Sequence, residues 1–259
     1  MKGYRPVKVA KRGGGKREVY APLPRLAFAQ SSILHRLTAL QPTLPYAHGF
    51  VPNRSILTNA SAHCGRTYVI NLDLRSFFHT VTEKRARGVI LALTGDEAFA
   101  REAAKLCTAK PLPYRGRHLL QGQCTSPLIA NLCAARLDRR LHNAALQQGY
   151  TFTRYADDIT FSGDALPGKL LSLAHKIIAD EGFTVNGSKT RTMKAPSLQL
   201  VTGLCVNGKV PALPPKVHAR YLRILPYVAP RVRVGIHAHM RAVARLQETA
   251  TESKKEKSF

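Results

Sequence analysis

Acidic residues are scarce in this chain, and tryptophan is absent. Only 15 aspartates and glutamates stand against 40 lysines and arginines over 259 residues, a formal net charge of +25. A folded protein carries that self-repulsion most easily beside a polyanion, so nucleic acid is the leading partner. No apolar run reaches the roughly 18 residues that a bilayer-spanning helix needs, so an anionic membrane surface is the weaker reading of the charge. The basic N-terminus, MKGYRPVKVAKRGGGKREV, lacks the apolar stretch of a signal peptide, and a cytoplasmic location is expected. Five cysteines (Cys64, Cys107, Cys124, Cys133, Cys205) are odd in number and form no CxxC pair, which argues against a disulfide framework or a zinc site. The patterns GxxxxGK[ST], GxSxG and HExxH are all missing, which removes P-loop, serine-hydrolase and zinc-protease chemistry. The 44% hydrophobic content is enough for a sizeable core in one large domain or a domain with an appendage.

What stands out against this basic background is the setting of three carboxylates. Asp157 and Asp158 lie in TFTRYADDITFS, between β-forming runs on either side, which reads as a hairpin with both aspartates at its tip. Asp73 closes the apolar run Tyr68-Val69-Ile70-Asn71-Leu72. An ionised group beside such stretches is costly unless a cation or donor compensates it. A bare Asp-Asp pair is more often just a polar turn. The preceding Tyr155, the flanking β-runs and the upstream Asp73 together favour a metal site instead. Nucleotidyl transfer uses two cations about 4 Å apart bridged by carboxylates, and Mg²⁺ prefers hard oxygen ligands with several waters retained. The expectation is therefore that Asp73, Asp157 and Asp158 meet across neighbouring strands and hold two Mg²⁺ ions.

The remaining elements alternate. Residues 6–22 read as a hairpin around Gly13-Gly14-Gly15, carrying Lys11, Arg12, Lys16 and Arg17. Leu23 to Leu40 suits a helix ended by Pro42 and Pro45. Ser55 is placed to cap a helix over residues 55–64, on which Asn59 and His63 share a face. Residues 67–74 form a strand, and helices follow over 81–93 and 96–110, broken by Gly95. A long helix starts at Thr125 or Ser126 and buries Ile129, Leu132, Cys133, Leu137, Leu141 and Ala145. After the aspartate hairpin come a helix over 169–181, a strand over 182–186, and a second hairpin over 199–211 turning at Asn207-Gly208. A basic helical region with Arg220 and Arg223 leads to a disordered tail over 251–259. This order suits an α+β class with an antiparallel sheet backed by helices.

Taken in sequence, these blocks resemble the reverse transcriptases, specifically the retron-type ones, from about Val7 to Lys209. NLDLRSFFHTV is similar to the family's first catalytic block, LLQGQCTSPLIANL to its glutamine-glycine block, and YADDITFS to its catalytic hairpin. NASAH (Asn59 to His63) fits a retron-associated NAxxH pattern, and Val201-Thr202-Gly203 fits a VTG pattern. The resemblance implies a right-hand polymerase with fingers, an antiparallel-sheet palm backed by helices, and a short helical thumb. It places fingers and palm at 1–200, thumb and RNA-binding region at 201–250, and a basic tail at 251–259. It implies that Asp73, Asp157 and Asp158 bind the catalytic Mg²⁺ ions. Phe78 would be the steric gate against ribonucleotides. Lys11, Arg17, Gln121 and Gly122 would contact the incoming dNTP, and Lys189 would donate a proton to pyrophosphate. Asn59, His63, Val201, Thr202, Gly203, Arg220 and Arg223 would contact RNA. Leu120 and Gln123-Cys124 depart from the family's usual proline and Ala-Pro around Gln-Gly.

The implied activity is synthesis of RNA-linked single-stranded DNA on a structured non-coding RNA that serves as template and primer, in anti-phage defence beside an effector protein. Two alternatives carry weight: a group II intron-like reverse transcriptase, and an RNA-binding scaffold that holds an effector inactive as an antitoxin does.

Overall fold

The computed structural model of the chain describes residues 3–10, 14–111 and 115–255. In order these form β1 (Tyr4–Ala10), β2 (Lys16–Pro22), α1 (Pro24–Leu40), α2 (Ile56–Ser61), β3 (Tyr68–Asp73), α3 (Phe77–Thr80), α4 (Glu83–Thr94), α5 (Glu97–Cys107), α6 (Ser126–Leu146), β4 (Thr151–Tyr155), β5 (Asp158–Gly163), α7 (Gly168–Asp180), β6 (Arg191–Lys194), β7 (Leu200–Val201), β8 (Leu204–Cys205), α8 (Pro215–Ile224) and α9 (Pro230–Lys255). Two compact units result, interleaved in sequence. The first comprises residues 1–45, 74–140 and 176–184, and the second residues 46–73, 141–175 and 185–259.

In the first unit β1 and β2 pair antiparallel from Tyr4↔Pro22 to Ala10↔Lys16. Gly14 and Gly15 near its turn adopt φ of 90° and 78°, which glycine tolerates at little cost. The hairpin is anchored where Tyr20 packs with Ala109 and Leu120. Gln30, fully buried on α1, donates to the Leu106 carbonyl at 2.9 Å and to Gln123 Oε1 at 3.0 Å. Local chemistry sets the helix ends: Thr82 caps α4 by accepting from Arg85 N, α4 stops at Gly95 with φ 66°, and Asp96 caps α5 by accepting from Phe99 N.

The second unit is built on a four-stranded antiparallel sheet in the order β4-β5-β3-β6. Its two faces differ in character. Ile70, Leu72, Phe152, Ile159 and Phe161 share one face and are all buried. Asp73, Asn71, Asp158, Thr160, Ser162, Thr153 and Tyr155 line the other. Helix α2 starts in a capping box, with the Ser55 side chain accepting from Leu57 N and Thr58 N and Thr58 Oγ1 accepting from Ser55 N. Its Ala60 packs with Val69, Val201, Leu204 and Val206 in one apolar cluster.

Three expectations need correction. Residues 182–186 are not a strand. Asn186 instead gives its backbone N–H to the Asp73 carbonyl at 2.7 Å, its Nδ2 donates to Asp73 Oδ1 and its Oδ1 accepts from the Ser188 hydroxyl, and such local side-chain bonding competes with a ladder. The edge strand is β6, starting at Arg191. The tight turn of this region is at Thr202-Gly203, whose φ values of 47° and 86° suit the β7–β8 turn, while the expected reversal around Asn207-Gly208 is a wider loop closed by the antiparallel Cys205↔Ala212 bridge. Asn207 spends its side chain on Gln199 N and the Ser197 carbonyl, and neither Asn207 nor Gly208 enters the left-handed region. Finally, α9 runs through Lys255, so the first five residues of the expected tail are helical, and 256–259 lie outside the described residues.

Candidate active site

The site is built on the hairpin β4–β5. Tyr155 pairs with Asp158, leaving Ala156-Asp157 as a two-residue turn with Ala156 at φ 56°. A non-glycine residue in that region is strained, by about 1–2 kcal/mol, and the surroundings hold it there. The Arg154 guanidinium, fully buried, donates to the Ala156 carbonyl at 2.9 Å. The segment Tyr46–His48 runs along the outer edge of β4, with Arg154 N bonded to the Tyr46 carbonyl and His48 N to the Arg154 carbonyl. Gly49 then passes so close that a Cβ there would lie 2.6 Å from Ala156 N. Neither Gly49 nor Arg154 was singled out from the sequence. The available signal was Arg154 itself, which shares the buried face of its strand with Phe152.

Asp73 ends β3 directly opposite Asp158 in the antiparallel register. Like charges facing one another across strands destabilise a sheet, and the surroundings answer that repulsion. Lys189 Nζ lies 2.7 Å from Asp73 Oδ2, and Asn186 Nδ2 donates to Asp73 Oδ1 at 3.0 Å. The turn Gly187–Lys189 delivers that ammonium, held by Lys189 N bonding to the Asn186 carbonyl. Asp158 keeps an exposed outer side but is crowded by protein beneath. That loss of hydration, with Asp157 and Asp73 adding negative charge, pushes its carboxyl up to about 6, while Lys189 opposes the shift. Lys189 is pushed up in turn, first by its bond to Asp73 and also by the charges of all three aspartates.

The donor set is therefore three hard carboxylates at one end of the two central strands, already attracting a cation in the form of Lys189. That chemistry fits Mg²⁺. As the side chains stand, no group of three His, Cys, Asp or Glu residues among the described residues is gathered tightly enough to hold a metal ion. Asp73 Oδ2 is the atom that would have to exchange Lys189 for a metal.

The other expected site residues belong to other elements. In the first unit, the Gln121 carbonyl accepts from Tyr20 N at 2.9 Å, and Gly122, at φ 99°, packs so tightly that a Cβ would meet Val19 Cγ1 at 2.2 Å. The Gln-Gly turn thus rests on β2, the strand that carries the exposed Arg17. Phe78 is half-buried on α3, edge-on to the buried Phe77. Lys11 lies outside the described residues.

The expected RNA contacts divide. Arg220 and Arg223 are exposed on α8, and Gly203 is exposed at the β7–β8 turn beside half-buried Thr202. Asn59, His63 and Val201 are fully buried and offer RNA no surface, which corrects that expectation. Val201 is core, packed with Ala60 and Leu204. Asn59 and His63 point instead at the β4–β5 hairpin. His63 Nε2 is 2.7 Å from Thr153 Oγ1, its Nδ1 is 2.7 Å from Ser162 Oγ, and Thr153 Oγ1 donates to Asn59 Oδ1 at 2.8 Å. Among the described residues no helix is long and apolar enough to cross a membrane.

Comparison with known proteins identifies the family. Residues 9–222 match the family described as reverse transcriptase (RNA-dependent DNA polymerase). The chain is 42% identical over 221 residues to the retron Mx65 reverse transcriptase of Myxococcus xanthus, covering 80% of this chain and 52% of that protein. It is 33% identical over 208 residues to the retron Ec86 reverse transcriptase of Escherichia coli, covering 79% and 63%. The chain thus spans little more than half the length of these relatives. Among solved structures, apo telomerase from Candida tropicalis, truncated from its C-terminal domain, superposes with a TM-score of 0.54 at 14% identity, covering 79% of this chain and 53% of that one. A foamy viral protease-reverse transcriptase in complex with double-stranded DNA gives 0.53 at 16%, covering 90% and 35%. At those identities the likeness establishes the right-hand polymerase fold, in an α+β chain. Most of the sequence lies within the matched region, and the chain belongs to the reverse transcriptase (RNA-dependent DNA polymerase) family, among its retron-type members.

Proposed function

We propose that this chain is an RNA-directed DNA polymerase whose centre is Asp73, Asp157 and Asp158, working on a structured RNA that provides both template and primer. The observation that carries the reading is the register: Asp73 stands opposite Asp158 at the tip of a strained, rigidly backed turn that also presents Asp157. Members of this family use divalent metal ions, and we assign Mg²⁺ to these carboxylates. Bound there, the ions would lower the pKa of the attacking hydroxyl and steady the departing pyrophosphate.

The chain's own groups prepare that reaction. Asn186 fixes the rotation of the Asp73 carboxylate through Oδ1, so that Oδ2 faces the exchanging cation. Lys189, an ammonium further stabilised by its bond to Asp73, holds a proton on Nζ beside the place where phosphate charge would develop. Arg154 and Gly49 keep the turn from shifting as charge enters. Arg17 on β2 and the Gln121-Gly122 turn would receive the triphosphate and base of the dNTP, and Phe78 would exclude a ribose 2′-OH. The exposed Arg220 and Arg223, with Thr202 and Gly203, would hold the RNA. The product would be single-stranded DNA joined to its RNA through a 2′-OH, made in the cytoplasm for anti-phage defence with an effector protein.

The test is direct. Nucleic acid extracted from purified wild-type protein should contain a branched RNA–DNA species that RNase alone does not fully digest. The double variant Asp157→Ala, Asp158→Ala should carry RNA but no DNA. DNA synthesis undiminished in that variant would refute the site. RNA without DNA in the wild type would favour a scaffold that holds an effector inactive.

A further inference from the structure

Asn59 and His63 of the NASAH segment are unused by the chemistry above, and their burial leaves them no RNA to touch. We propose that His63 and Asn59 are positioning residues of the polymerase centre, a buried polar clamp that fixes β4 against β5 so that the turn presents Asp157 and Asp158 at the right height. This inference rests on the polymerase reading of those aspartates.

The geometry is specific. Thr153 and Ser162 stand on different strands of the catalytic hairpin, each in the pleat row that ends at the tip, Thr153 with Tyr155 and Ser162 with Asp158. His63 bonds both at once, one through each ring nitrogen. The proton directions follow from the far end. Thr153 gives its hydroxyl hydrogen to Asn59 Oδ1, so it accepts from His63 Nε2–H, and Nδ1 then accepts from the Ser162 hydroxyl. A single neutral tautomer satisfies both ring nitrogens and both hydroxyls, while Asn59 Nδ2 is left buried without a partner. Burial, then His48 and Arg66, hold the imidazole in that neutral state.

The physical need is for register. A strand slip of one residue turns every side chain to the other face. Here a slip of β4 would swing Thr153 away from the imidazole and leave Nε2–H unpaired in a dry interior, so the clamp opposes the slip directly. An apolar side chain at position 63 would fill the space without specifying the register. Helix α2 is a firm base for the clamp: it is capped by Ser55, packed through Ala60, and bonded at its first residue by Thr202 Oγ1 to the Ile56 carbonyl at 3.2 Å.

The experiment uses the full chain with poly(rA)·oligo(dT), dTTP and Mg²⁺. It measures kcat, KM for dTTP, template-primer Kd and the melting temperature of each variant. His63→Leu should lower kcat at least tenfold, with KM and Kd within twofold of wild type and the protein still folded at the assay temperature. Thr153→Val should lower kcat severalfold, Thr153→Ser should recover most of that loss, and the double variant His63→Leu, Thr153→Val should be no worse than His63→Leu. Should His63→Leu fail to fold, Thr153→Val and Ser162→Ala each remove one arm and carry the same expectation. A raised Kd with unchanged kcat would overturn the proposal in favour of RNA contact. A loss tracking the unfolded fraction, or no loss at all, would overturn it too. Wild-type activity, with none in Asp157→Ala, Asp158→Ala, is the control that separates failure of this inference from failure of the polymerase reading.

Discussion

Gly49→Ala tests the support of the Ala156-Asp157 turn with one methyl group. Its Cβ would lie 2.6 Å from Ala156 N, 3.1 Å from Tyr155 C and 3.4 Å from Ala156 Cα, all backbone atoms with no rotamer by which to retreat. Reaching even a tight nonbonded separation of about 3.4 Å demands a shift of roughly 0.8 Å. The turn cannot simply yield, because Arg154 binds the Ala156 carbonyl from the buried side. Overpacking of this kind costs about 1–3 kcal/mol, partly offset by the roughly 0.4–1 kcal/mol that losing a glycine contributes through the unfolded chain. The larger effect is on rate, since a misplacement near 1 Å can cost on the order of 100-fold in catalysis. Single-turnover dTTP incorporation on poly(rA)·oligo(dT) should fall by about 10- to 100-fold, alongside a modest drop in melting temperature. Gly88→Ala is the internal control. It sits exposed within α4 with nothing within 4 Å of its added Cβ, and should be neutral in rate and stabilising by about 0.5–1 kcal/mol. A Gly49→Ala protein with wild-type rate and melting temperature would refute the claim that Gly49 sets the position of the turn.

Further outcomes follow from other parts of the chain. Phe78→Ala should raise ribonucleotide incorporation relative to deoxyribonucleotides in competition assays, and unchanged selectivity would remove Phe78 from the gate role. His63 has a folded-state pKa lowered to about 3 from 6.5, so the unfolded chain takes up a proton first as pH falls. Its effect on stability is nil above about pH 6.5, and the fold then loses roughly 1.4 kcal/mol per pH unit down towards the folded value. Denaturant midpoints should show this acid sensitivity, and His63→Gln should flatten it between pH 6.5 and 5; an identical slope in the variant would contradict the assignment. Affinity for structured RNA should fall steeply with salt, by about 10³- to 10⁵-fold from 50 to 200 mM if six to ten phosphates are contacted. A flat response would give the +25 charge another purpose.

The sequence by itself determined what depends on short-range periodicity and turn chemistry. The aspartate hairpin, the strand ending in Asp73, the long helix with Ile129, Leu137, Leu141 and Ala145 buried, and the basic surface were all legible because a period of 2 or 3.6 and a cap are local properties. The tertiary structure decided what depends on partners distant in the chain. Asn207-Gly208 carries the stronger turn signal, yet Thr202-Gly203 makes the tight turn, because Asn207 is drawn away by Gln199 and Ser197. Residues 182–186 have β propensity, yet Asn186 is claimed by Asp73. Asn59 and His63 look like surface polar residues on a short helix, but their partners lie some ninety residues on, at Thr153 and Ser162. A polar side chain's fate turns on whether a complementary group meets it in the interior, where leaving it unpaired costs about 1–3 kcal/mol, and only the folded chain supplies that group.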